Sequence, residues 1–487
     1  CGGRRIATAP GRVKRELAGR GPNGIGCPPF PSGASGSRQP PQPVESLVFR
    51  EYIRNLRLFN PNARLFLLAT FIGSLGLGMV WVLRNLYLRE IGLSDSRIGN
   101  VLSANSLGLL AVTPIAFFMD RYRLKGFLLA AGVLGTAGVL GTVLTENFRL
   151  ILMWGFIAGL GGALGGVAAA PFIMRNTGTS ERVYMFGVRI AVATLGGALS
   201  MAISGRYTWY WGDTAEVLRW VMIVGSGIAT FSAIPLLLIR EAPLTSSSKS
   251  DRSKNPSTRR AWGTIGRLCL PDFLIGCGAG LTIPFIQLYF RDRFHNSSAQ
   301  ISSYYAASQV INMVGFLVSP VLARRLGLVK SVVASQLLSI PFFLALAVTM
   351  DLRIAIGAFL LRQMLMNLAQ PVNSNFAMEV VPEDQRAVTN CIKSASWNLS
   401  WLVTASLGGW MQEHFKSIWA SLPWADVDPN RFGLRDGFSL VMYVTIALYL
   451  VAAGLFYAFF RHHRPATKED TLVLAAAPVT AGGPDAE

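Results

Sequence analysis

The stretch Asn85-Leu86-Tyr87-Leu88-Arg89-Glu90 recurs as Gln287-Leu288-Tyr289-Phe290-Arg291-Asp292, each residue matched in kind. Each copy closes a long apolar run, and another such run follows soon after. A second correspondence keeps nearly the same offset: Arg182, Arg189 and Gly205 match Arg386, Lys393 and Gly409, with identical internal spacing. Two distant patterns that share one offset to within two positions mark the chain as two related halves.

Composition decides the solvent. The chain has 487 residues, 51% hydrophobic and 15% charged, with mean hydropathy +0.41. That is too little charge to cover a soluble protein of this length, so lipid is the expected surroundings. The net charge of +19 sits in termini and short connectors. With no groove of interleaved aromatic and basic residues, it points away from nucleic acid and toward the lipid bilayer. Cys269, Cys277 and Cys391 lie in or beside apolar runs and Cys1 and Cys27 in the tail, which implies no disulfide framework.

Along the chain, residues 1–45 read as a disordered basic tail and 46–64 as an amphipathic lead-in on the membrane surface. A first half over 65–239 holds apolar runs at 65–88, 97–119, 126–145, 150–174, 184–205 and 217–239. A polar, basic cytoplasmic linker at 240–262 follows. The second half, 263–461, holds runs at 269–290, 301–323, 330–349, 353–376, 388–411 and 438–460, and residues 462–487 form a second disordered tail. Most runs approach the ~20 residues that a spanning helix needs. Lys and Arg are more numerous in the connectors that share a side with the termini, which predicts both termini in the cytoplasm. Glycines crowd the third and fourth runs, where helices can approach closely, for tight packing or for movement.

The connector Ala116-Phe117-Phe118-Met119-Asp120-Arg121-Tyr122-Arg123-Leu124-Lys125 resembles the signature of the major facilitator superfamily (MFS) of secondary transporters. Asp120, Arg121 and Lys125 match it, while Ala116 and Arg123 replace its glycines. The second half echoes it as Ala323-Arg324-Arg325-Leu326-Gly327-Leu328-Val329-Lys330. The resemblance covers residues 60–462. It implies an all-α membrane protein with twelve transmembrane helices in two pseudo-symmetric six-helix bundles, acting as a monomer in the plasma (cell inner) membrane. It further implies transport of a small-molecule substrate, active or facilitative, by rocker-switch alternating access. Gly155 stands where drug–proton antiporters of the superfamily carry Arg, and VRIAVATLGGALS lacks their fifth-span proline. Those departures place the chain outside the multidrug groups. LPDFLIGCGAGLTIPFIQLYFRDRF and LRQMLMNLAQPVNSNFAMEVVPEDQR are similar instead to a bacterial subset without assigned substrates.

Ionisable groups are costly in lipid and are expected to face a cavity or a partner. Away from their ends, the third, sixth, ninth and twelfth runs have none. Arg84, Arg189, Arg362 and Lys393 fall in the first, fifth, tenth and eleventh, which the resemblance places at a central cavity. Arg362 lies about 14 Å into its span, near the middle of a ~30 Å core. It either anchors an anionic group or bonds structurally to Gln363 and Asn367. Arg189 and Lys393 either ring the substrate or snorkel to the interface, and Arg84 snorkels outward. Gln287, Gln309, Asn312, Asn373, Asn375 and Asn398, with Trp397 as a stacking face, either orient a substrate or join helix to helix. The expected binding set is Arg362, Arg189, Lys393, Gln287, Asn312, Asn373 and Trp397, suited to an organic anion or zwitterion.

No Asp or Glu sits mid-span, and Asp272 is the nearest. Coupling therefore falls to Asp272, to Asp120 or to the substrate itself, or the protein is a facilitator. Asp120, Arg121, Lys125, Arg182 and Arg386 make a conformational latch at the inner surface, or else are solvated loop charges. The only adjacent histidines, His462 and His463, follow the last run, and no phosphate-binding Gly-Lys loop appears. An enzyme is not expected, nor a cofactor or metal. The competing readings are a lipid translocase and a transporter-like sensor of the same fold.

Overall fold

The computed structural model describes residues 59–116, 123–177, 182–240, 258–382, 385–421 and 427–461. The expected tails, most of the lead-in and most of the linker lie outside these residues, as do Asp120 and Arg121.

Long helices dominate: α1 Pro61–Glu90, α2 Asp95–Ala111, α3 Leu124–Leu144, α4 Phe148–Asn176, α5 Arg182–Trp211 and α6 Ala215–Phe231. The second half holds α7 Thr258–Thr282, which begins inside the expected linker, α8 Ser298–Leu326, α9 Leu328–Val348, α10 Leu352–Val380, α11 Arg386–Glu413 and α12 Gly437–Phe460. Short continuations extend three of them, at Thr113–Ala116, Ala233–Leu238 and Ile286–Phe294. Their beginnings follow local chemistry. Asn147 and Asp351 each accept from the backbone N–H two residues on and cap α4 and α10; Asp436 caps α12 through Ser439. Ser297 and Gln300 close a reciprocal capping box on α8.

Among the described residues, ten helices are long and apolar enough to cross a membrane. The protein is a multi-span all-α membrane protein. The sequence expectation of twelve differs at α8 and α11, which are 29 and 28 residues long but are not among the ten. Serines, amides and Lys393 along these two helices dilute the apolar signal. Both are used against protein: α11 packs on α2 and α7, and α8 on α5 and α10.

The pairing of helices repeats. In the first half α1 packs on α5 and α6, α4 on α2 and α3, and α3 on α6. In the second half α7 packs on α11 and α12, α10 on α8 and α9, and α9 on α12. The most extensive contacts between the halves are those of α2 with α11 and of α5 with α8. At the first, Ser103 and Ser406 hydroxyls stand 2.7 Å apart. Within the first half, Gly108 and Gly159 let α2 and α4 touch backbone to backbone. A Cβ on Gly159 would lie 2.0 Å from the Asn105 carbonyl oxygen, and one on Gly108 2.2 Å from that of Phe156.

Candidate solute cavity

A cavity of about 480 Å³ opens between the halves, walled by α1, α5, α8 and α10. Each helix turns one stripe to it. On α1 the stripe is Ser74, Leu77, Gly78 and Trp81; on α5, Ile190, Ala193, Thr194, Gly197 and Met201. On α8 it is Tyr305, Ser308, Gln309, Asn312 and Phe316, and on α10 Gln363 and Asn367. Steps of three and four residues keep these side chains on one face of each helix.

The polar part of the wall is a chain of amides. Asn367 donates to the Asn312 side-chain oxygen at 3.1 Å and to the Gln363 carbonyl at 2.9 Å. Asn312 in turn approaches Gln309 at 3.4 Å. Aromatic rings form the other part, with Trp81 meeting Tyr305 edge to face at 5.4 Å between centroids. The Tyr305 hydroxyl is buried and has no hydrogen-bond partner among the described residues.

The lining described carries no charged side chain. This departs from the cationic wall expected from sequence. Arg362 is 3% exposed and stands behind the wall. Its guanidinium lies over the Phe343 ring at 4.4 Å and donates to Gln363 at 2.9 Å and to the Tyr449 hydroxyl at 3.3 Å. It touches the cavity wall through Gln363, whose side chain it holds. The bonding to Gln363 is the structural alternative read from the sequence, with Tyr449 and Phe343 as partners supplied by the fold.

The remaining expected residues divide. Asn312 is in the wall, and Gln287 donates to the Trp81 carbonyl at 3.3 Å. Arg189 is half-buried on α5 and is not part of the lining, although its neighbour Ile190 is. Lys393, Asp272 and Asn373 meet away from the cavity: Lys393 Nζ stands 3.0 Å from Asp272, to which Asn373 donates at 2.9 Å. Trp397, one turn past Lys393, packs beside Trp401 and Gly276. Of the inner latch, Lys125 donates to the Leu237 and Ile239 carbonyls at 2.6 and 2.9 Å, within the first half. That position suits a cation at a helix C-terminus. Arg182 and Arg386 open α5 and α11.

Ser74, Trp81, Thr194, Tyr305, Ser308 and Asn367 were not expected from sequence. Their signal was there, as polar and aromatic residues recurring at helical spacing, but core helices show the same spacing.

The profile of the Major Facilitator Superfamily matches residues 66–270 and again 268–479. The chain belongs to the major facilitator superfamily. It is a membrane-embedded transporter of small solutes by alternating access. No curated protein sequence matches it. Among solved structures, a bacterial homologue of the human lysosomal transporter Spinster, inward-facing and unoccupied, aligns with TM-score 0.66 and 16% identity over 82% of this chain and 96% of that one. A D-xylose–proton symporter aligns with TM-score 0.64 and 15% identity, over 84% and 98%. The nucleoside transporter NupG aligns with TM-score 0.62 and 12% identity, over 82% and 99%. At these identities the likeness is one of fold. The cavity of this chain lies between α1 and α5 of the first half and α8 and α10 of the second.

Proposed function

We propose that this transporter carries an uncharged, hydrogen-bonding solute with a flat face, by rocking two six-helix bundles about the cavity. The observation that carries this reading is the cavity wall, which offers four amides, hydroxyls and three aromatic side chains but no charge. A wall of that kind matches donors and acceptors on a neutral solute and gives an ion no counter-charge. The anion or zwitterion suggested by Arg362 is the weaker reading, because its guanidinium is already covered by Phe343, Tyr449 and Gln363.

The five pairings that recur in each half support two equivalent bundles, with α8 and α11 as their seventh-to-twelfth set's more polar spans. The charge bias of the connectors supports cytoplasmic termini in the plasma membrane. The outer face is then the end that carries Glu90, Asp95, Asp292 and Glu413. Hydrogen bonds between the halves gather there, and the likeness to an inward-facing relative agrees with a cavity closed on that side. Asp272 is the acidic group nearest a coupling role, and no catalytic step is assigned. The protein works as a monomer.

Matched solutes test the reading: nicotinamide against nicotinate, xylose against xylonate, uridine against its monophosphate. Neutral members are expected to raise the Tm of the purified protein and to exchange across proteoliposomes, with both effects weakened in Gln363→Ala. Stabilisation by the anions alone ends the neutral reading. Movement of labelled phospholipid headgroups between leaflets, without solute exchange, replaces it with a lipid translocase.

A further inference from the structure

The repeated hexapeptide meets itself in the fold. Arg89 of the first copy pairs with Asp292 of the second at 2.6 Å, and Arg291 of the second pairs with Glu90 of the first. The amides that open the copies are also exchanged: Asn85 donates to the Pro284 carbonyl at 2.6 Å and Gln287 to the Trp81 carbonyl at 3.3 Å. The tyrosines instead bond within their own halves. Tyr87 donates to the Val143 carbonyl at 2.9 Å and Tyr289 to that of Leu346 at 2.8 Å, at the ends of α3 and α9. Every polar position of the motif thus has a place: tyrosine fixes each copy to its half, and the amide and the charges reach across.

We propose that Arg89, Glu90, Arg291 and Asp292 form a reciprocal charge lock over the cavity, and that solute passes on this side only when both pairs part. The inference rests on the transporter reading for its purpose, though not for its geometry. Trp81, which accepts the Gln287 bond, is itself in the cavity wall, so the lock sits directly beyond it. Within the two copies, Leu86, Leu88, Leu288 and Phe290 are fully buried and exclude water. The charges remain 20–32% exposed, an exposure at which each pair is weak and screened by salt. Such a lock holds the closed state and still releases it.

The two halves of the lock are unequal. Arg89 also pairs at 3.2 Å with Asp95 of its own half, which keeps a partner for it after opening. Arg291 faces a second acid across the seam, Asp213 at 3.7 Å, and in its own half, among the described residues, only the Ser298 hydroxyl at 3.2 Å. Arg291 therefore contributes more to closure than Arg89.

The test needs no solute. A single cysteine at Ser308 in the wall, in a background without other cysteines, is labelled by a membrane-impermeant maleimide added from the side of the lock. With the lock intact, labelling is slow and speeds up in 1 M salt. R291Q is expected to raise the rate about tenfold, R89Q less, and E90Q and D292N in between, with the salt effect lost in R89Q/R291Q. Equal rates in R291Q and the parent, or a parent insensitive to salt, overturn the lock; R89Q exceeding R291Q overturns its asymmetry. The salt response is read on the unaltered lock, so a variant that fails to fold does not decide the result. Labelling that follows these rules in a protein that moves no solute leaves the lock standing and removes the transport reading.

Discussion

Lys393 and Asp272 form an ion pair between α11 and α7, with Nζ 3.0 Å from one carboxylate oxygen while Asn373 of α10 donates to the other at 2.9 Å. The side chains are 14% and 13% exposed, so this is a largely buried pair. Removing one partner leaves an uncompensated charge. D272N and K393M are each expected to cost about 3–5 kcal/mol, and D272N/K393M to recover most of it. A double-mutant cycle on denaturation of the purified protein measures this; additive losses would mean that the pair does not couple.

Arg362 is expected to act on stability before it acts on solute. R362K keeps the charge but loses the planar contact with Phe343 and the two directed bonds, at a cost of about 2 kcal/mol. Y449F removes one acceptor and costs about 1–2 kcal/mol. Thermal unfolding checks both, and a Tm unchanged in R362K would show that the guanidinium geometry is dispensable.

The amide wall is expected to appear in binding. Asn312→Ala and Gln363→Ala each remove a hydrogen-bonding group from the cavity, and should raise KM for the transported probe about tenfold at unchanged membrane abundance. A fall in abundance that accounts for all lost uptake would assign these amides to helix packing.

Close helix contact gives a local contrast. A Cβ on Gly159 would lie 2.0 Å from backbone, whereas one on Gly132 would meet open space. G159A is expected to destabilise by about 1–3 kcal/mol and G132A to stay within about 0.5 kcal/mol, read from Tm values of the two variants.

The division between sequence and fold is clear in two neighbouring residues. Depth along a helix is written in the sequence, because each residue advances 1.5 Å, and the apolar runs placed most helices to within a few residues, although α7 starts at Thr258, well before the expected 269. The expected run 438–460 is α12, Gly437–Phe460, and the expected 184–205 is α5, extended to Trp211. The repeated hexapeptide was likewise legible, since like sequences adopt like local structure. Direction around the helix was not. Successive residues turn by about 100°, so Arg362 and Gln363 at almost the same depth face different surroundings, one the core and the other the cavity. Which of those directions is core depends on how α9, α10 and α12 pack. The same holds for Lys393 with Asp272, and for Arg89 with Asp292: the sequence determined that charges stood at these levels in the membrane, and only the packing of distant helices decided which of them would meet.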